Sequence, residues 1–217
     1  MKTGILGGTF DPIHFGHLRI AEEARERLQL DRVLFLVANV PPHKTGRPTS
    51  PFASRLALVE AAVADHPGFE ACAMEADHPG PNYSVDTLAR LRRTYPDDSF
   101  YFIIGADSFR DLPEWKNYQE IFSLTNLVVV GRPGLEAMDP ASGLPVAAQK
   151  QFCYSGSPEK WRHTSGNWLF FIEDTGLDIS STRLRAMVAE RRSIRYLVPE
   201  PVRQLIERDG LYRIQKG

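Results

Sequence analysis

The sequence predicts an α/β fold of the Rossmann-like, doubly wound kind, a mainly parallel sheet flanked by helices, with a small C-terminal helical part. Three observations predict it. Short β-branched or aromatic runs alternate with amphipathic stretches along the 217 residues, as in successive βαβ units. Several runs, Val33–Ala38 among them, are almost continuously apolar, as strands covered by helices on both faces should be. A chain with 42 % hydrophobic and 24 % charged residues is an ordinary globular one, long enough for one sizeable core.

The elements follow in order. Strands are expected near Thr3–Gly7, Arg32–Ala38, Phe69–Glu75, Ser99–Gly105, Asn126–Gly131 and Trp168–Ile172. The first helix, Phe15–Leu28, carries Leu18, Ala21, Ala24 and Leu28 at helical spacing. Ser50-Pro51 reads as an N-cap followed by proline at the first helical position, opening a helix to Asp65. Ser84 caps a helix over Val85–Tyr95 with Val85, Leu88 and Leu91 on its apolar face. Ser180 or Ser181 opens a helix to Arg192, and a last helix follows Pro201 and stops at Gly210. Between them Arg132–Asn167 is rich in Gly, Pro, Ser and Ala, with a short helix at Val146–Phe152 as its one visible element. A connection of that length is commonly a lid or a binding loop. The α/β core is therefore placed at 1–178, with 133–167 irregular, and the helical segment 179–217 is expected to pack on it.

Bulk charge narrows the partners. Lys plus Arg (26) nearly balances Asp plus Glu (27), which argues against a nucleic-acid or anionic-membrane partner. The basic stretch Val188–Tyr212, with Arg191, Arg192, Arg195 and Arg203, then reads as solvated helix faces rather than a helix-turn-helix. Cys72 and Cys153 lie far apart and outside any CxxC pattern, so a reducing compartment is expected over a disulfide framework. MKTGILGG contains no long apolar stretch, and no apolar run could span a bilayer. The expected location is the cytoplasm.

The strongest chemical signal is Gly7-Gly8-Thr9-Phe10-Asp11-Pro12-Ile13-His14-Phe15-Gly16-His17, directly between the first strand and the first helix, where open α/β sheets bind ligands. Gly7 and Gly8 let backbone N–H groups approach a phosphate, and the helix start aims its amides at the same spot. His14 and His17, three apart, project from one helix face, and Gly16 leaves room for a ligand. Two imidazoles there can donate hydrogen bonds to a phosphoryl group. A zinc pair would need a third ligand that the sequence nearby does not offer. A second constellation, Ser180-Ser181-Thr182-Arg183-Leu184-Arg185, combines hydroxyls, helix-start amides and arginines able to fork onto phosphate oxygens. Arg183 and Arg185 lie on different faces, and the local pattern does not choose between them.

The glycine–histidine string resembles the (T/S)xxHxGH signature of nucleotidyltransferases, and GGTFDPxHxGHL is the form typical of nicotinate-nucleotide adenylyltransferases. Pro41-Pro42-His43-Lys44, Tyr83–Leu88, Gly105-Ala106-Asp107, Leu112–Trp115, Val130–Pro133, Ile179–Arg185 and Ile194–Pro199 are similar to further motifs of that family, in order. Gly134–Asn167 departs from it. The resemblance implies transfer of an adenylyl group from ATP to nicotinate mononucleotide, with Mg²⁺ brought in by ATP and no dedicated metal site. It implies His14, His17 and Arg185 as the catalytic groups, selecting Arg185 over Arg183. Gly7, Gly8, Thr9, Phe10, His14, His17, Gly105, Asp107, Ile179, Ser180, Ser181, Thr182 and Arg185 would contact ATP. Lys44, Thr87, Trp115 and Arg132 would contact the acceptor, Trp115 by stacking on its pyridine ring and Thr87 at a helix start suited to a carboxylate. Read without the resemblance, Trp115 is a half-buried core residue and Lys44 a solvated one. The same chemistry on nicotinamide mononucleotide or phosphopantetheine, or a non-catalytic adenine-nucleotide-binding module, are the competing expectations.

Overall fold

The computed structural model describes residues 1–40, 49–77, 80–131, 144–157 (backbone only at 155–157), 160–173 and 175–213. Within them one sheet forms around β1 (Lys2–Gly8), which pairs in parallel with β2 (Arg32–Val37) on one side and β4 (Ser99–Gly105) on the other. β3 (Phe69–Cys72) flanks β2, while β5 (Asn126–Gly131) and β8 (Trp168–Glu173) continue in parallel beyond β4. The chain thus builds outward from β1 to one edge, returns to the centre, and builds toward the other. The crossover point between β1 and β4 opens a crevice at their C-terminal ends, which carry Gly7-Gly8 and Gly105.

Alternation along each strand divides the apolar residues between two faces. Val33, Phe35 and Val37 join one buried cluster, and Leu34 and Leu36 join the other. The first cluster is covered by α1 (Phe15–Leu28), α2 (Phe52–Val63), α7 (Ser181–Ala189) and α8 (Glu200–Arg208), which supply Ala21, Leu58, Met187 and Ile206. The second is covered by α3 (Ser84–Thr94), α4 (Ala106–Asp111), α5 (Tyr118–Leu124) and α6 (Val146–Gln149), through Leu88, Phe109, Ile121 and Ala148. Removing such side chains from water is the main force holding the layers, at about 1.5–3 kcal/mol for each large one. The residues of α7 and α8 belong to the same cluster as Phe10 and Ile13, so the C-terminal helices close over the base of the turn that follows β1. No helix among the described residues is long and apolar enough to cross a membrane.

Five local expectations change. Ser50 does not cap α2: the helix starts at Phe52, and Pro51 takes the cap position with no side-chain bond. Ser84 is the first residue of α3 and not its cap; Tyr83 takes the cap position without a side-chain bond. β3 stops at Cys72 because a turn, closed by the Ala76 N–H on the Ala73 carbonyl, sends Glu75 back toward the sheet. Before β8, β6 (Phe152–Ser157) and β7 (Lys160–His163) form an antiparallel hairpin that extends the sheet edge. Helix α6 accordingly ends at Gln149, short of Phe152, whose ring is drawn into the core against Phe122 and His163, both 5.0 Å away.

Candidate active site

The turn after β1 is organised by what it buries. Phe10 takes a left-handed backbone (φ 49°) that sends its ring into the core. A Cβ on Gly8 would come within 2.8 Å of that ring, so glycine at 8 is a packing requirement as well as an opening toward ligand. Phe10 meets Phe35 on one side and the edge of His17 on the other, with ring centroids 5.9 and 5.1 Å away. Only the backbone of Phe10 is therefore available to a ligand.

His14 caps α1 and stacks on His17, with centroids 3.7 Å apart and planes 23° off parallel. A Cβ at Gly16 would lie 3.0 Å from His14 Nδ1, so the glycine lets the first imidazole lie flat against the helix start. His14 is buried, and its Nδ1 has no hydrogen-bond partner among the described residues. Burial pushes its pKa down to about 4, which keeps the ring neutral at pH 7. His17, one turn further, reaches the cavity wall.

α7 docks onto the same turn. Ser180 caps it, its Oγ accepting from the Arg183 N–H at 3.2 Å. Ser181 Oγ donates to the Pro12 carbonyl at 2.9 Å, and Arg185 Nη1 donates to the Asp11 carbonyl at 2.7 Å. Arg185 also reaches Thr182 Oγ1 at 3.4 Å, whereas Arg183 points outward and is exposed. Ile179 enters the helix through a 2.8 Å bond from its N–H to the Leu177 carbonyl. The turn, the paired imidazoles and the 179–185 segment are thus one assembly.

A cavity of about 340 Å³ opens at the crevice. Gly7, Gly8, His17 and Gly105 line one side, and Tyr83, Ser84, Trp115 and Lys116 the other. Space beyond Gly105 is open, and the neighbouring Asp107 is exposed and paired with Arg110. Trp115 is half-buried, its ring 6.3 Å from Phe102. Lys116 Nζ sits 2.9 Å from Asp86 Oδ2 and 4.7 Å from the Tyr83 ring centre. Thr87, in contrast, does not line the cavity: it is buried one layer behind, and its hydroxyl donates at 2.8 Å to Oε1 of Glu75, which does. The α3 hydroxyl facing the cavity is that of Ser84. Lys44, with His43, and Arg132 lie outside the described residues.

Three residues that the sequence did not single out build the site's foundation. Arg55 is 1 % exposed and donates to four backbone carbonyls: Ser50 (2.9 Å), Thr9 (2.8 Å), Ala38 (2.6 Å) and Asn39 (3.3 Å). It ties the end of β2 to the glycine turn. Buried Asp11 accepts from the Tyr212 hydroxyl (2.7 Å) and the Ser50 N–H (3.2 Å). Glu75, on the cavity wall, also accepts from the Asn39 N–H at 3.2 Å. The available signal for Arg55 was a charged residue on the apolar face of a helix, between Phe52, Leu58 and Val59. Among the described residues no group of three or more His, Cys, Asp or Glu side chains is placed to hold a metal ion.

A glycine turn, stacked imidazoles and an arginine-bearing helix start around the sheet's crossover crevice define a nucleotide-handling α/β protein of the nucleotidyltransferase class. Residues 5–187 match the cytidylyltransferase-like family. A protein of Syntrophotalea carbinolica named "Probable nicotinate-nucleotide adenylyltransferase" is 55 % identical over 100 % of this chain and 99 % of its own. One of the same name from Geobacter sulfurreducens is 50 % identical over 98 % of each. The chain belongs to the nicotinate-nucleotide adenylyltransferase branch of the cytidylyltransferase-like family. Its fold is also that of the Plasmodium falciparum nicotinic acid mononucleotide adenylyltransferase complexed with NaAD, with a TM-score of 0.72 at 16 % identity over 98 % of each chain.

Proposed function

We propose that the chain catalyses attack of the phosphate of nicotinate mononucleotide on the α-phosphorus of ATP, forming nicotinate adenine dinucleotide and releasing pyrophosphate. One observation carries this reading: a single cavity joins the phosphate-type turn at Gly7-Gly8 to a wall bearing Trp115 and Ser84, so donor and acceptor share one space. The family supplies the acceptor's identity. An acceptor oxygen forms a bond to the α-phosphorus while the bond from that phosphorus to the α,β-bridging oxygen breaks, and the bridging oxygen leaves with the electron pair as part of pyrophosphate. The acceptor phosphate is already anionic near neutral pH, so no side-chain nucleophile is required.

The protein's work is then positioning and charge stabilisation. His17 and neutral His14 each donate an N–H to the α-phosphoryl oxygens, Arg185 draws on the departing phosphates, and the turn amides hold the chain of phosphates in line. The Ser180–Thr182 helix start adds amides and hydroxyls on the donor side. Trp115 covers the pyridine ring, and Ser84 at the start of α3 faces its carboxylate. We assign Lys44 and Arg132 to the acceptor phosphate, and Gly105 and Asp107 to the adenosine ribose. We keep Thr87 as a residue that acts on the acceptor side through Glu75. A divalent cation fits this scheme as Mg²⁺ arriving on ATP, where it neutralises phosphate charge. The two cysteines, free as they stand, suit a cytoplasmic site of action.

A pyrophosphate-release assay with ATP, Mg²⁺ and each of nicotinate mononucleotide, nicotinamide mononucleotide and phosphopantetheine tests the reading. Release is expected to be fastest with the nicotinate acceptor. Faster turnover of another acceptor, or tight ATP binding with no release from any, would overturn it.

A further inference from the structure

Asp11 sits beneath the turn with a donor on each of its three oxygens, and the donors come from distant parts of the chain. Its Oδ2 receives the Ser50 N–H at 3.2 Å, its Oδ1 the Tyr212 hydroxyl at 2.7 Å, and its main-chain oxygen the Arg185 guanidinium at 2.7 Å. Tyr212 reaches that place because α8 ends in a tight reversal: Gly210 is left-handed (φ 62°), and the Leu211 N–H returns to the Ile206 carbonyl at 3.0 Å. Tyr212 is itself left-handed (φ 63°), a conformation that a non-glycine residue holds only where surrounding contacts fix it. Burial raises the phenol's pKa, so it remains a donor at every working pH, and Arg185 lies within electrostatic reach of it.

A carboxylate and a guanidinium are the pair most inclined to join in a two-pronged ion pair. Arg185 already rests on the carbonyl of the residue whose carboxylate lies a few bonds away. The Ser50 N–H and the Tyr212 hydroxyl each hold one oxygen of that carboxylate and fix the direction in which it points. We propose that Tyr212 is a positioning residue for adenylyl transfer: by holding Oδ1 of Asp11 at 2.7 Å it competes with Arg185 for that oxygen and leaves the guanidinium aimed at phosphate. This rests on the reading of the site as one that binds ATP. Removing the hydroxyl weakens the hold on a buried carboxylate oxygen, and of the two cations near it Arg55 is fixed by four carbonyls while Arg185 holds one carbonyl and one hydroxyl, so Arg185 is the one that turns to it.

The test compares the full-length wild type with Tyr212→Phe and Thr3→Val. Thr3 is the control because its buried hydroxyl also donates to a carboxylate, Asp98 at 2.7 Å, but at the opposite end of β1. Both variants are expected to lose a similar few degrees of Tm and to keep the wild-type circular dichroism. Tyr212→Phe alone should lower kcat/KM for ATP about tenfold and weaken ATP affinity in a direct titration, with KM for the acceptor within twofold of wild type. If Tyr212→Phe matches the wild type in ATP affinity and kcat/KM while losing Tm as Thr3→Val does, its role is structural only and the proposal is wrong. Should the wild type release no pyrophosphate with any acceptor, the functional reading fails by itself, and the ATP titration still decides the role of Tyr212.

Discussion

Acidification offers the sharpest test of how His14 is held. An imidazole free in water titrates near 6.5, and burial in the folded chain brings His14 to about 4. As pH falls below 6.5 the unfolded chain takes up a proton that the folded chain refuses until near pH 4. In that window the unfolded state binds more protons, so stability is present above 6.5 and is lost as pH drops through the interval. With those two values the loss between pH 7 and pH 5 is about 2 kcal/mol. Urea unfolding of the wild type and of His14→Gln at both pH values isolates the effect. The pKa of His163 is lowered by burial as well, but it contributes equally to both proteins and cancels in the difference. The wild type should lose about 2 kcal/mol more than the variant on going to pH 5. Equal losses in the two proteins would mean that the His14 ring meets water and can hold a proton where it stands. The assumed neutral, preorganised donor would then be wrong.

Other expectations are simpler to state. His17→Ala should lower kcat about 10²–10³-fold at saturating ATP, the usual loss when one charge-stabilising donor is removed, with the fold intact by circular dichroism; near wild-type turnover would remove His17 from the chemistry. Arg55→Met removes the donor from four partly buried carbonyls and should cost about 3 kcal/mol of unfolding free energy in a denaturant titration. A loss below about 1 kcal/mol would show that water replaces the guanidinium. Trp115→Leu keeps most of the apolar bulk beside Phe102 but removes the flat ring, and should raise KM for the acceptor about tenfold, the equivalent of roughly 1.4 kcal/mol of stacking, with little change for ATP.

Much of this was legible in the sequence, for reasons that differ by element. The central strands β1, β2, β4 and β5 announce themselves because they are largely buried on both faces, and a run such as Val33–Val37 has no other use. Phe15–Leu28 is bounded as the apolar period requires. The β6–β7 hairpin was not legible: its strands lie at the sheet edge, mix Ser and Gly with single aromatics, and carry the alternation of a half-exposed ladder over too few residues to register. Thr87 shows a different limit. A hydroxyl in the first turn of a helix looks available to a ligand, yet which side of the turn faces the cavity depends on how α3 packs, and packing turns Ser84 outward and Thr87 toward Glu75. Arg55 and Tyr212 were missed because their partners are main-chain carbonyls and a carboxylate far away in sequence, and no local spacing encodes such bonds.

The motif GGTFDPIHFGH itself separates into two sets of residues doing opposite things. Gly7, Gly8 and His17 face the cavity, whereas Phe10, Asp11 and Ile13 face inward and are nearly without exposure. A turn that must receive several phosphate charges needs backbone amides that do not move when the anion arrives, because reorganising them would consume the stabilisation they offer. Rigidity of that kind has to be built from below. The inward set provides it: an aromatic ring beneath Gly8, and an acid whose two oxygens are held by the start of α2 and the end of the chain. A negative charge beneath a phosphate site would by itself repel the ligand. Asp11 is tolerable there because its field is opposed by Arg55 and Arg185, both tied to the same turn. Asp11→Ala would therefore not simply favour ATP: it would release Ser50 and Tyr212 together, and the loss of a fixed turn should outweigh the charge removed, so ATP affinity in a direct titration should fall.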